Sequence, residues 1–182
     1  PPAIPSGPIA AVLEATRQGG NAEHVGAHDA TFIVFSDDMD KALASFVLAN
    51  GAASMGKKVT MFFTFWGLNV IKLRRKPRGR KDLMGSLFGL MLPSHAGRLG
   101  LSKLNMAGMG ARMMKLRMKS KKVDSLEEMI RSAIAGGVEF IACQMSMDIM
   151  GVRREELIPE AKIGGVATYL EAAETGGLNL FV

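Results

Sequence analysis

Val138-Glu139-Phe140-Ile141-Ala142-Cys143-Gln144-Met145-Ser146-Met147-Asp148 passes from a strand-length apolar run, through a cysteine, into residues that suit a helix start. A strand buried on both faces reads as an almost unbroken apolar run, because neither face meets water. Ser146 or Asp148 then offers an oxygen able to cap a short helix. Cys143 is the only cysteine in 182 residues. A thiol between a strand end and a helix start sees backbone N–H groups that lack intrahelical partners, and these favour thiolate over thiol. Free cysteine is also among the most buried residue types and packs as a small hydrophobe. Position alone leaves both roles open.

The same alternation continues on either side. Ala30 to Ser36 is a buried strand by length and β-branching. Ser36 or Asp37 caps a helix starting near Asp38, with Met39, Leu43, Phe46 and Ala53 on its apolar face and Gly56 as its stop. Val59 to Thr64 is a second strand, and Trp66 to about Arg75 reads as a helix that turns basic. Ser125-Leu126-Glu127-Glu128 matches a capping box ahead of an apolar stripe that Gly136-Gly137 ends. Ala161 to Gly164 is a short strand, Val166 to Glu174 a helix ended by Gly176-Gly177, and Leu178 to Val182 a last strand. Strands alternating with helices predict an α/β domain with a parallel sheet of about five strands, covered on both faces. Ligands of such sheets bind outside the carboxyl ends of the strands. The segments expected there are Asp37 with its neighbours, Thr64-Phe65-Trp66, Cys143 with Gln144, Met145 and Ser146, and Gly164-Gly165. Trp66 would wall one side of a site at Cys143.

Charge divides the chain sharply. Residues 72–122 hold 15 of the 23 Lys and Arg but one of the 17 acids, so this insert carries +14 and leaves −8 elsewhere. It also holds seven of the 14 methionines. Two short helices are expected in it, at about 82–92 and 101–118. A basic segment rich in Met and Leu suits an anionic membrane surface or an acidic protein partner. A mobile excursion packing on its own domain is the plainer alternative. Its single aromatic, Phe88, argues against stacking on nucleic acid.

Other chemistry finds little support. There is no P-loop, and Gly108-Met109-Gly110 lacks the preceding strand and the later glycine of a dinucleotide fingerprint. His24 and His28 sit in a Gly-rich stretch without a second ligand pair, so no metal site is expected. A dyad of His95 with Cys143 would need the insert to fold back. One cysteine excludes an internal disulfide or a C-x-x-C couple. The longest apolar stretch, 61–71, is too short to span a bilayer. Residues 1–28, rich in Pro and Gly, read as a linker or N-terminal tail with a short helix at Ile9 to Thr16. Residues 29–182 form the domain, with its insertion at about 77–122.

The run Ile141-Ala142-Cys143-Gln144-Met145-Ser146-Met147-Asp148-Ile149-Met150-Gly151 resembles the cysteine motif of DsrE/DsrF-like proteins, and more narrowly the subgroup with a long Met-rich basic insertion. Phe63-Thr64-Phe65-Trp66-Gly67-Leu68, Val123-Asp124-Ser125-Leu126, Ile163-Gly164-Gly165-Val166-Ala167 and the closing Leu178-Asn179-Leu180-Phe181-Val182 fit too. The resemblance covers about residues 30–182. It implies a three-layer flavodoxin-like α/β/α fold, homo-oligomers, a cytoplasmic setting with possible membrane association, and sulfur trafficking on Cys143 as a persulfide. It also implies partners that are TusA-like or rhodanese-like, in some relatives fused into one chain. Persulfide exchange needs no metal or nucleotide cofactor. Two rivals stand beside this reading: a non-catalytic interaction module docking through the insert, and peroxide or disulfide reduction with an external resolving thiol.

Overall fold

The computed structural model describes residues 29–73, 95–103 and 106–182. The apolar runs form β1 (Asp29–Val34), β2 (Val59–Phe63), β3 (Glu139–Cys143), β4 (Lys162–Gly164) and β5 (Gly176–Phe181). They pair in parallel throughout, in the order β4-β3-β2-β1-β5. The helices are α1 (Met39–Ser54), α2 (Met109–Ser120), α3 (Leu126–Ala135), α4 (Gln144–Met150) and α5 (Val166–Glu174).

Parallel crossovers are right-handed, so the direction of each step fixes the face its helix covers. From β1 to β3 the chain steps one way along the sheet, and α1 and α3 pack side by side on one face. The return from β4 to β5 runs the other way and lays α5 on the opposite face. Side chains alternate accordingly. Phe32, Val34, Met61, Phe63 and Phe140 join Phe46 of α1 in the main core, while Phe62, Ile141 and Cys143 meet Tyr169 of α5. The result is a three-layer, flavodoxin-like α/β/α fold with unequal layers. Tyr169 is the one buried residue in the nine of α5.

Several expected boundaries moved. The cap of α1 is Asp38, not Ser36 or Asp37, and its buried face is Met39, Ala42, Ser45, Phe46, Ala49 and Ala52. Leu43 and Ala53 are only partly buried. Gly56 does end the helix, in the left-handed region at φ 79°. The helix expected from Trp66 is a 3-10 helix, Phe65–Ile71, after which Lys72 is extended and bridges to Leu157. A Cβ on Gly67 would lie 1.9 Å from Val34 O, so this turn is pressed onto the end of β1. In the insert, residues 101–103 are not helical; a 3-10 turn, Met106–Gly108, leads into α2. Gly176-Gly177 belong to β5 and do not end α5, whose cap is Thr175. The expected tail helix, the helix at 82–92, His24 and His28 lie outside the described residues.

Candidate functional site

Cys143 closes the β3 ladder and is itself the N-cap of α4, with extended backbone angles (φ −69°, ψ 114°). The expectation that Ser146 or Asp148 caps this helix is therefore corrected. Ser146 lies in the first turn of α4, fully buried, with its Oγ 2.8 Å from Thr64 Oγ1 at the end of β2. Gln144 Nε2 donates to Asp148 Oδ1 (2.8 Å) along the outer face of α4, and Met145 is exposed. Gly151, left-handed at φ 61°, ends the helix after seven residues.

The Cys143 side chain points to the α5 layer, where Phe62, Ile141 and Tyr169 surround it and leave the residue 5% exposed. Gly164 is its register partner on β4. A Cβ on Gly164 would come within 2.7 Å of Ile141 Cγ2 and 3.3 Å of Thr168 Oγ1, so glycine is what lets α5 begin this close to β3. Gly165 is the N-cap of α5. The ring of Tyr169 packs on Phe62 with centroids 5.4 Å apart. Its hydroxyl lies 3.3 Å from Thr31 Oγ1, which donates to Asn179 Oδ1 at 2.5 Å. These contacts hold α5 over the thiol from both ends of one side chain.

The other expected site residues serve neighbouring structures. Asp37 Oδ2 accepts from Asn69 Nδ2 (2.9 Å), and Asn69 Oδ1 accepts from Lys72 Nζ (2.6 Å). Asn69 is fully buried, so this polar chain fastens the 3-10 helix to the end of β1. Trp66 is exposed on that helix. Phe65 before it sits in the left-handed region (φ 46°), its ring 5.5 Å from that of Phe35. Asp40 binds the hydroxyl and amide of Ser102. Burial alone would raise its carboxyl, but the Ser102 hydrogen bonds outweigh this and hold it below its ordinary value. His95 lines a cavity of about 430 Å³ with Met39, Leu43, Met118 and Leu126, among the helices on the sheet face away from the Cys143 side chain. Sequence reasoning missed Phe62 and Tyr169 as site neighbours, while it placed Thr64 at this edge. Tyr169, the chain's single tyrosine, was the one recognisable signal.

A parallel α/β/α sheet with one thiol at the junction of a strand and the helix it caps defines a small open-sheet protein with a cysteine edge site. Within that class, the chain belongs to the DsrE/DsrF/DrsH-like family, whose sequence model matches residues 27–181. It is 43% identical over 152 residues to the uncharacterized protein YrkE of Bacillus subtilis, covering 84% of this chain and 95% of that one. It is 34% identical over 154 residues to sulfur carrier protein DsrE2 of Allochromatium vinosum, covering 82% and 95%. The crystal structure of the ychN protein from E. coli shares the fold, with TM-score 0.50 over 85% of this chain and 99% of that one, at 9% identity.

Proposed function

We propose that this chain is a sulfur carrier in which Cys143 holds sulfane sulfur as a persulfide and passes it between proteins. The observation that carries the reading is the placement of the one cysteine at the β3–α4 junction, in a chain related to sulfur carrier protein DsrE2. The Cys143 thiolate attacks the outer sulfur of a donor persulfide. The new S–S bond forms on Cys143 as the donor's S–S bond breaks, and the donor leaves as a thiolate. No net oxidation occurs and no cofactor is consumed. Cys143 makes no side-chain cap hydrogen bond to α4, and on this reading the N–H groups of the 144–147 turn receive the outer sulfur once it is loaded. On this reading Gln144, Met145 and Ser146, which follow Cys143 in α4, and Gly164-Gly165, at the start of α5, border the transferred sulfur. Asp37 and Trp66 stand further along the same edge. The covered thiol must open for transfer, and the cover is a helix anchored by a single buried side chain, Tyr169. The partners are thiol proteins of TusA-like or rhodanese-like chemistry, acting as donor and acceptor, and a second copy of the chain. A lone thiol suits the reducing cytoplasm. On this reading 29–182 is one domain, and its insert at about 77–122 marks the Met-rich basic subgroup.

Intact mass after incubation with polysulfide tests this. Wild type gains sulfur mass that a reductant removes, and Cys143→Ser stays folded and gains none, because serine forms no persulfide. If wild type gains no sulfur from any sulfane donor and alkylates slowly at neutral pH, Cys143 is core and the interaction-module reading replaces this one. Sulfenate formation by peroxide without sulfane loading would instead favour thiol-based reduction.

A further inference from the structure

We infer that Tyr169 latches α5 over the thiol: the N-terminal half of α5 lifts off the sheet to admit a sulfur donor to Cys143, then closes to shield the loaded sulfur from small thiols. The shielding rests on the carrier reading; the latch itself does not. Transfer brings the donor's outer sulfur to about 2 Å from the Cys143 sulfur, yet Cys143 is 5% exposed. Something in its cover has to move. Phe62 and Ile141 sit on paired strands, since β2 is bonded to β1 and β3, and β3 to β2 and β4. Tyr169 is the other buried neighbour, and it belongs to the thin layer. An element with little buried apolar surface opens at the lowest cost.

The two ends of α5 are held unequally. Val166, Ala167 and Thr168, ahead of Tyr169, are all exposed, and Gly165 supplies no side-chain cap. Gly164, just before this end, is the register partner of Cys143, so the weakly held end is the one beside the thiol. At the other end Ala173 packs against the apolar cluster. There Thr175 Oγ1 donates to Asp29 Oδ2 (3.3 Å), and Asn179 Nδ2 donates to the Ala173 and Gly176 carbonyls (3.3 Å each). Tyr169 joins the two ends. A hydroxyl carries one proton, and that of the fully buried Thr31 is spent on Asn179 Oδ1. The Tyr169 hydroxyl is therefore the donor to Thr31 Oγ1 (3.3 Å). The run from Tyr169 through Thr31 and Asn179 to Ala173 ties the middle of α5 to β1, β5 and its own last turn. The last turn is the hinge, Tyr169 the catch, and the first turn the part that lifts. Without the cover a small thiolate would attack the outer sulfur, leave with it as a persulfide and release Cys143 as a thiolate.

Iodoacetamide alkylation of the full chain, followed by mass across pH and urea and set beside amide hydrogen exchange, tests this. Tyr169→Phe keeps the ring on Phe62 and removes the catch, so Cys143 alkylates faster, by up to about tenfold. The pH of half-maximal rate does not change, because access and not acidity has altered. The Tyr169-position amide, bonded to Gly165 O, exchanges faster by a similar factor, while the amides of α3 do not. Thr31→Val acts in the same direction, and adding Tyr169→Phe to it gives no more. In wild type the alkylation rate stays flat at low urea, because lifting one helical turn exposes little surface. The inference is overturned if Tyr169→Phe alkylates no faster than wild type, whatever its urea midpoint does. It is equally overturned if the wild-type rate climbs from zero urea with the slope of whole-fold unfolding. Polysulfide loading separates the two claims: if wild type takes up no sulfur while Tyr169→Phe still speeds alkylation, the carrier reading falls and the latch stands. Where sulfur does load, dithiothreitol strips it faster from Tyr169→Phe than from wild type, and equal stripping rates overturn the shielding.

Discussion

Ser146 shows how the site is held at the level of one side chain. A fully buried hydroxyl needs a protein partner, and the Thr64 hydroxyl supplies it at 2.8 Å. This bond ties the first turn of α4 to the end of β2 and so fixes the helix that Cys143 caps. Ser146→Ala is expected to cost about 1–3 kcal/mol, because the Thr64 hydroxyl loses its partner at the packed junction. Combining it with Thr64→Val is expected to cost less than the sum of the two single changes, a coupling that a urea double-mutant cycle measures. The edge position of Cys143 was legible in the sequence, since a strand-length run and a helix start meet there. Its neighbours were not legible. Phe62 arrives from the adjacent strand and Tyr169 from the return crossover, and no local pattern links either to position 143.

The N-terminus of α3 illustrates what local rules determine. Ser125 Oγ accepts from the Glu128 amide (3.3 Å), and Glu128 Oε2 accepts from the Ser125 amide and hydroxyl (both 2.7 Å). The hydrogen bond from the Ser125 hydroxyl, followed by that from its amide, holds the Glu128 carboxyl below its ordinary value. A carboxyl lowered in the folded state stabilises the fold at neutral pH and loses that contribution as pH falls through its folded value. The urea midpoint of wild type is therefore expected to drop on acidification below about pH 4.3 more steeply than that of Glu128→Gln. Ser125→Ala is expected to cost about 1 kcal/mol at pH 7. This cap was readable because its residues are three apart in sequence. The segment at 65–71 was misread for the opposite reason. Its apolar run suits a helix, but contact with β1 at Gly67 and the left-handed Phe65 tighten it into 3-10 turns. Gly176-Gly177 misled likewise: they read as a stop, whereas pairing with β1 draws Gly176 into β5 across a register shift.

Across the whole molecule the two faces of the sheet are unequally clothed. α1 and α3 cover one face, and α5 with its single buried tyrosine lies on the other. Val166 and Leu170, one turn apart on α5, are exposed. Parallel sheets are ordinarily covered on both faces, so the thin layer is expected to recruit a second copy of the chain. Leu170→Glu is expected to shift the mass measured by light scattering toward the monomer without lowering the folding midpoint; an unchanged mass would place any self-association elsewhere. The unequal layers have a further consequence. The Cys143 side chain opens toward α5, while α2 rides on the side of α1 and α3. The sheet is thus a partition between two workspaces. A carrier that docks at the thiol must therefore approach from the α5 side, and a partner seated over α1 and α3 leaves that approach open.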